Sequence, residues 1–155
     1  MKKVIMAVVL LMLVFLPAGG VFAQEKAAAS TPESVVKTFY TCLQNGDIMS
    51  IKPLVSESII KQVTDNADPK TIGGHLGVYL LVTAAIKEGK LTLEMTDQNF
   101  KIEESTEKSV TIVTTYNAKV TMDGKTESDK GSDKVKLVKE NDKWVILELQ
   151  DLTRK

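Results

Sequence analysis

The sequence is poor in the residue types that build most catalytic and metal centres. Its 155 residues include one cysteine, Cys42, and one histidine, His75. A single cysteine forms no intramolecular disulfide, and a single histidine excludes a multi-histidine metal site. The sequence also lacks a Gly-x-Ser-x-Gly nucleophile motif and a glycine-rich phosphate loop after a strand. We therefore predict no metal site and no cofactor, and we assign no catalytic residues.

The chain also lacks an excess of either charge sign, and it contains few aromatic residues. Twenty basic residues balance twenty acidic residues, and aromatic residues make up 5% of the chain. Binding to a nucleic-acid backbone requires a basic patch, and stacking of single-stranded bases requires aromatic rings. Both shortages argue against a nucleic-acid partner.

The N-terminus has the pattern of an export signal. Met1-Lys2-Lys3 precedes an apolar run from Val4 to Leu16, and Val21-Phe22-Ala23 resembles a signal-peptidase site. The apolar run is shorter than the roughly 20 residues that cross a bilayer. We therefore expect an exported protein, periplasmic or secreted, without an integral membrane segment once the signal is removed. The predicted division is a signal peptide over 1–23, a flexible leader over 24–30 and a single domain over 31–155.

The first part of the domain has helical periodicity. Thr31-Pro32-Glu33 combines an N-cap, a first-turn proline and an acidic residue, and Asn45-Gly46 is a typical helix end. Cys42 lies on the apolar stripe of this helix, which predicts a buried, unreactive thiol. Asp47 can cap a second, shorter helix, which Pro53 should kink or delimit and which 57–63 can continue.

A third helix is predicted from Lys70 or Ile72 to Lys87. Gly73, Gly74 and Gly77 weaken its first turns. Glycines that weaken a helix in this way indicate that another segment approaches its backbone closely or that its first turn is distorted. Close packing on another helix is the preferred explanation.

The last part of the chain alternates like an antiparallel meander. The first strand begins near Leu91, with a bulge over 97–99 where the apolar phase changes, and 103–108 is the predicted turn into a strand over 109–122. Asp123-Gly124 is a hairpin turn. We predict that 125–133 is a charged, solvated extended edge or hairpin arm, which continues into a strand over 134–139, and that a last strand covers 143–149. The residues expected to face the helices are Val110, Ile112, Tyr116, Val135, Val145 and Leu147.

These elements predict an α+β fold in which three N-terminal helices pack on a curved four-stranded antiparallel sheet. The order of elements, with Asn45-Gly46-Asp47 after the first helix and Asn141-Asp142-Lys143-Trp144 opening the last strand, resembles the nuclear-transport-factor-2-like (NTF2-like) superfamily. The resemblance is greatest to small exported bacterial domains of unknown function, and it spans about 31–149. It implies a cone that encloses a pocket. The superfamily includes isomerases, dehydratases and binding domains, so it does not imply one chemistry.

Four residues are candidates for the lining of that pocket: Tyr79, Tyr116, His75 and Asp97. An isomerase would need a carboxylate base, for which Asp97 is the candidate, and a donor such as Tyr116. Three of them also have a structural explanation: Asp97 in a solvated turn, Tyr116 in the core, and His75 at a helix start.

We prefer an exported accessory or binding domain that holds a small apolar molecule or a peptide, because a catalytic set is missing. An acid–base isomerase or dehydratase is the first alternative. A structural module that forms a homodimer through the sheet is the second.

Overall fold

The computed structural model describes residues 30–65, 68 and 71–153, and it confirms the α+β class. Helices precede a four-stranded antiparallel sheet that does not close into a barrel. The predicted signal peptide and all but the last residue of the predicted leader lie outside the described residues, so both stay predictions. Within the described ranges, none of the helices has the length and apolar character needed to cross a membrane.

Helix α1, Pro32–Gln44, begins and ends as predicted. The Thr31 hydroxyl accepts a hydrogen bond from the Ser34 amide at 3.2 Å. At the other end Gly46 has φ +66°, and a Cβ there would lie 2.7 Å from the backbone nitrogen of Lys87. Only glycine fits both conditions, so Gly46 sets how closely the end of α1 approaches the end of the last helix.

Pro53 divides the second helical region, as its missing amide predicts. Helix α2 is Ile48–Ile51, capped by Asp47, and a 3₁₀ turn over Lys52–Leu54 contains the proline. Helix α3, Glu57–Thr64, follows as a separate helix.

Helix α4, Leu76–Lys87, begins later than the predicted Lys70 or Ile72. Gly73 and Gly74 have φ values of +51° and +69°, outside the helical region. Their segment pairs with the last strand: Leu149 donates to the Gly73 carbonyl at 3.0 Å, and a Cβ on Gly74 would lie 2.7 Å from the Leu149 carbonyl oxygen. The expected close approach is present, but its main partner is a strand rather than another helix.

The sheet has the order β1-β2-β3-β4, and every neighbouring pair is antiparallel. Residues Asp123 and Gly124, and likewise Asn141 and Asp142, all have positive φ, which is the backbone of tight hairpin turns. The predicted bulge in β1 lies between Thr96 and Asn99. The strands are β1 Leu91–Ser105, β2 Ser109–Met122, β3 Lys125–Glu140 and β4 Lys143–Asp151.

One strand prediction was wrong in extent, and another was confirmed except for the solvation of its end. The turn predicted over 103–108 is shorter, because β1 continues to Ser105. The arm predicted over 125–133 is the first half of one long strand, paired with β2 along its whole length. Its residues are exposed up to Lys130 and most of them are charged, but burial begins at the end of the arm.

One face of the sheet packs on α1 to form the core, with Ile112, Val135 and Leu137 fully buried. In β4 the prediction that Val145 and Leu147 face the helices was wrong. A bulge opposite Lys136 and Leu137 inserts one residue and shifts the alternation. Ile146 and Leu149 therefore enter the core.

Candidate functional site

The three tyrosines of the chain meet at one aspartate. Tyr40 comes from α1, Tyr79 from α4 and Tyr116 from β2, and all three hydroxyls donate to the carboxylate of Asp133 on β3. We call these four residues the tyrosine–aspartate cluster. It joins two helices and two strands through polar side chains, beside a core that is mainly aliphatic.

The hydroxyl oxygens lie at hydrogen-bond distance from the carboxylate. Oδ2 of Asp133 is 2.7 Å from Tyr40 and 3.0 Å from Tyr116, and Oδ1 is 2.8 Å from Tyr79. The hydroxyls of Tyr79 and Tyr116 are 3.0 Å apart, and that of Thr114 is 2.8 Å from Tyr40. Within the described ranges, no buried side-chain nitrogen or oxygen lacks a hydrogen-bond partner. The cluster is therefore a closed hydrogen-bond network.

The hairpin register brings the strand residues of the cluster together. Counting outward from the two-residue turn at Asp123-Gly124 pairs Tyr116 with Gly131 and Thr114 with Asp133. The ring of Tyr116 lies across Gly131, where an added Cβ would come within 2.7 Å of the hydroxyl oxygen and closer still to two ring carbons. Gly131 thus leaves the space through which Tyr116 reaches Asp133.

Burial dominates the electrostatics of the cluster. Asp133 and Tyr40 are fully buried, while Tyr79 and Tyr116 are half-buried. Burial raises the pKa of Asp133, and the charge of Asp151 raises it further, although the three phenol bonds oppose the shift. Burial and the charge of Asp133 also raise the pKa values of all three phenols. The phenols consequently keep their hydrogens and act as donors to Asp133.

The structure brings together two of the four residues predicted from the sequence, Tyr79 and Tyr116. His75 lies next to the cluster, at the start of α4: its Nδ1 accepts from the backbone amide of Asp151 at 2.9 Å, and Asp151 pairs with Asp133 across the sheet. This bond assigns the Nδ1 lone pair to the backbone and leaves the hydrogen of a neutral ring on Nε2.

Asp97 lies apart from the other three candidates. It is exposed in the β1 bulge and accepts a hydrogen bond from the side-chain nitrogen of Asn117 at 2.6 Å. Asn117 and Tyr116 are consecutive in β2 and point to opposite faces of the sheet. Asp97 and Tyr116 therefore cannot act together on one substrate group.

Sequence reasoning missed Asp133 and Tyr40. The charged run over 125–133 was interpreted as solvated, and Tyr40 was left out of the apolar stripe of the first helix. A signal for Asp133 did exist, because extending the Asp123-Gly124 hairpin residue by residue places it opposite Thr114. That count shows the face on which Asp133 lies, but not that a helix covers it.

Two depressions lie on the outer face of the sheet, away from the cluster. One, of about 640 Å³, is lined mainly by polar residues such as Glu94, Asn117 and Lys119, and also by Ala118 and Asp129. A second, of about 270 Å³, is lined by residues such as Lys136 and Glu148. Most of the side chains that line them are polar or charged. In the part of the chain that the structure describes, no group of three or more His, Cys, Asp or Glu residues could hold a metal ion.

The sequence matches no family model and no curated protein. Solved structures do match: an NTF2-like protein of unknown function in nutrient uptake from Rhodospirillum rubrum has a TM-score of 0.57 at 9% identity, over 79% of this chain and 97% of that one. The protein has the NTF2-like fold. The resemblance inferred from the sequence is therefore confirmed at the level of the fold.

Two further NTF2-like structures show the same likeness. A protein named for a proposed ketosteroid isomerase activity, from Shewanella frigidimarina, has a TM-score of 0.54 at 15% identity, over 79% of this chain and 95% of that one. An NTF2-like superfamily protein from Salmonella enterica has a TM-score of 0.53 at 14% identity, over 76% and 84%. Identities this low establish an architecture and not a chemistry.

Proposed function

We propose that this NTF2-like protein is an exported binding domain that holds a small, mainly apolar molecule, or an apolar peptide side chain, between α4 and the sheet. The polar group of the ligand lies at Tyr79 and Tyr116. One observation carries the proposal: the tyrosine–aspartate cluster runs from a fully buried end, Tyr40 and Asp133, to a half-buried end at the two phenols. Tyr79 comes from a helix and Tyr116 from the sheet, so this polar end lies between two walls.

Apolar side chains continue from the cluster along the sheet. Ala118 and Val120 follow Tyr116 at alternate positions of β2, on the same face. Leu93 is the partner of Val120 on β1, and it is partly buried. Val120 is 37% exposed and Met122 55% exposed, both large values for aliphatic residues. A polar group set at the end of an apolar surface is the usual composition of a small-molecule site.

The geometry supports binding over acid–base catalysis. A general base needs a carboxylate oxygen within reach of the substrate proton. The carboxylate of Asp133 is instead buried and bonded to three phenols, and Asp97 lies on the other face of the sheet. For this reason we place the isomerase or dehydratase alternative second.

A fluorescent apolar reporter tests the proposal. N-phenyl-1-naphthylamine should become fluorescent on binding the purified mature protein, and the Tyr79→Phe/Tyr116→Phe double variant should weaken its binding by about 1 kcal/mol through loss of the one hydrogen bond that its N–H can donate. Thr115→Ala, one residue along on the exposed face, is the matched control and should bind as the wild type does. A wild type that does not bind the reporter, or a Tyr79→Phe/Tyr116→Phe double variant that binds it unchanged, would refute this function.

Export and assembly have separate tests. If export proceeds as proposed, the intact mass of the protein recovered from the periplasm or medium corresponds to a chain starting at Gln24. Uncleaved, cell-retained protein would remove this part of the proposal. The homodimer through the sheet stays a prediction, which light scattering during size-exclusion chromatography checks.

A further inference from the structure

The hydrogens of the cluster limit what can bind to it. Each phenol has one hydrogen, and Tyr40, Tyr79 and Tyr116 all direct theirs at the carboxylate of Asp133. A phenol that has donated its hydrogen presents only lone pairs to a further partner. A molecule that reaches Tyr79 or Tyr116 without breaking this network must therefore donate a hydrogen bond and cannot simply accept one.

The charges of β3 are sorted between the two faces of the sheet. Glu127 and Asp129 lie opposite Val120 and Ala118, on the same face as Tyr116 and Asp133. The lysines of the strand interior alternate with them and lie on the outer face: Lys130, Lys134 and Lys136. The two basic residues on the inner face of β3 lie at its ends, Lys125 beside the hairpin turn to β2 and Lys139 beside the turn to β4. Carboxylates therefore line the apolar surface that leads to the cluster.

We infer that the ligand is an amphiphilic amine, whose ammonium group donates to Tyr79 and Tyr116 while its apolar body covers Ala118 and Val120. This inference rests on the proposed function and specifies the ligand class of the same site. An ammonium group supplies the hydrogens that the phenols lack. Its charge is attracted by the carboxylates of β3 and by the faces of the tyrosine rings.

Three ligands with one ring system and different charge test the inference. They are 2-(1-naphthyl)ethylamine, 2-(1-naphthyl)ethanol and 1-naphthaleneacetate, and their affinities are measured at pH 7 by displacement of the reporter and by calorimetry. The amine should bind about tenfold more tightly than the alcohol, and the carboxylate most weakly. Asp129→Asn should weaken the amine about threefold and leave the alcohol unchanged. Asp142→Asn removes one exposed carboxylate at the β3–β4 turn and is the matched control, which should not change either affinity.

The outcomes separate this inference from the proposed function. If the alcohol or the carboxylate binds as tightly as the amine, and Tyr116→Phe weakens it, the ligand class is wrong and the binding function stands. If the reporter binds but none of the three ligands displaces it or binds in calorimetry, the ligand class is wrong and the binding function stands; if the reporter does not bind either, both are wrong. Equal effects of Asp129→Asn and Asp142→Asn on the amine would also overturn the inference, because the carboxylates of β3 would then not act on the site.

Discussion

Replacing Gly131 by alanine should disconnect Tyr116 from Asp133. Gly131 is absent from the residues with positive φ, so its backbone accepts an alanine without conformational strain. The obstacle is the ring of Tyr116, because the new Cβ would lie 2.7 Å from its hydroxyl oxygen and closer to Cε2 and Cζ. Non-bonded carbon atoms settle at about 3.5–4.0 Å. The ring must therefore move by more than about 1 Å.

A movement of that size breaks the two contacts that hold Tyr116. Its hydroxyl is 3.0 Å from Asp133 and 3.0 Å from Tyr79, and an added 1 Å takes both distances beyond hydrogen-bond range. A hydrogen bond to a charged, buried acceptor contributes about 1.5–3 kcal/mol. Tyr116 is half-buried, so its ring can move toward solvent, and overpacking adds little. We expect Gly131→Ala to cost about 2–3 kcal/mol of unfolding free energy.

A double-mutant cycle with Tyr116→Ala isolates this effect. Without the ring, Gly131→Ala should cost nothing or stabilise by about 0.5 kcal/mol, because alanine loses less entropy than glycine in a strand. Urea unfolding followed by the fluorescence of Trp144, the single tryptophan of the chain, measures all four proteins. Gly124→Ala is the control glycine: a Cβ there meets no atom within 4 Å, so its cost arises from φ +74° alone and should not depend on Tyr116.

The reasoning fails if the penalty of Gly131→Ala persists when Tyr116 is already alanine. It fails equally if Gly131→Ala is as stable as the wild type, since the ring would then not lie where the strand pairing places it.

Three further predictions concern titration and reactivity. Burial and the charge of Asp133 raise the pKa values of Tyr40, Tyr79 and Tyr116, so the native protein should show no tyrosinate absorbance near pH 10, where free tyrosine ionises. Burial raises the pKa of Asp133 in the folded protein above its value in the unfolded chain, about 3.9. The stability that this group contributes is therefore complete below that pH and is lost as pH rises through the raised pKa. The wild type should lose stability relative to Asp133→Asn from about pH 4 upward, which urea unfolding at a series of pH values measures. Burial also raises the pKa of the Cys42 thiol, which should react with a disulfide reagent only after unfolding.

Each of these has a clear contrary result. Tyrosinate absorbance near pH 10 in a protein with a native circular dichroism spectrum would show that at least one phenol is outside the cluster. A wild type that gains stability relative to Asp133→Asn as pH rises would mean that Asp133 is stabilised as an anion. Rapid labelling of Cys42 in the native protein would contradict its burial.

Local signals in the sequence determined most of the elements of this fold. Thr31 and Asp47 cap their helices, Pro53 interrupts one, and Asp123-Gly124 closes a hairpin. These features depend on residues a few positions away along the chain, so they can be recognised without the rest of the molecule. The alternation in β2 likewise predicted which of its faces is buried.

Tertiary structure decided the site. From the sequence alone, an aspartate in a charged strand is predicted to be solvated. Asp133 is buried because α1 and α4 pack over it and place Tyr40 and Tyr79 against its carboxylate. The start of α4 at Leu76 depends on the pairing of Gly73 and Gly74 with the last strand. The change of face in β4 depends on the bulge in its pairing with β3. Burial of a charge is a property of what packs over it, and contacts between residues far apart in the chain are not encoded in any local pattern.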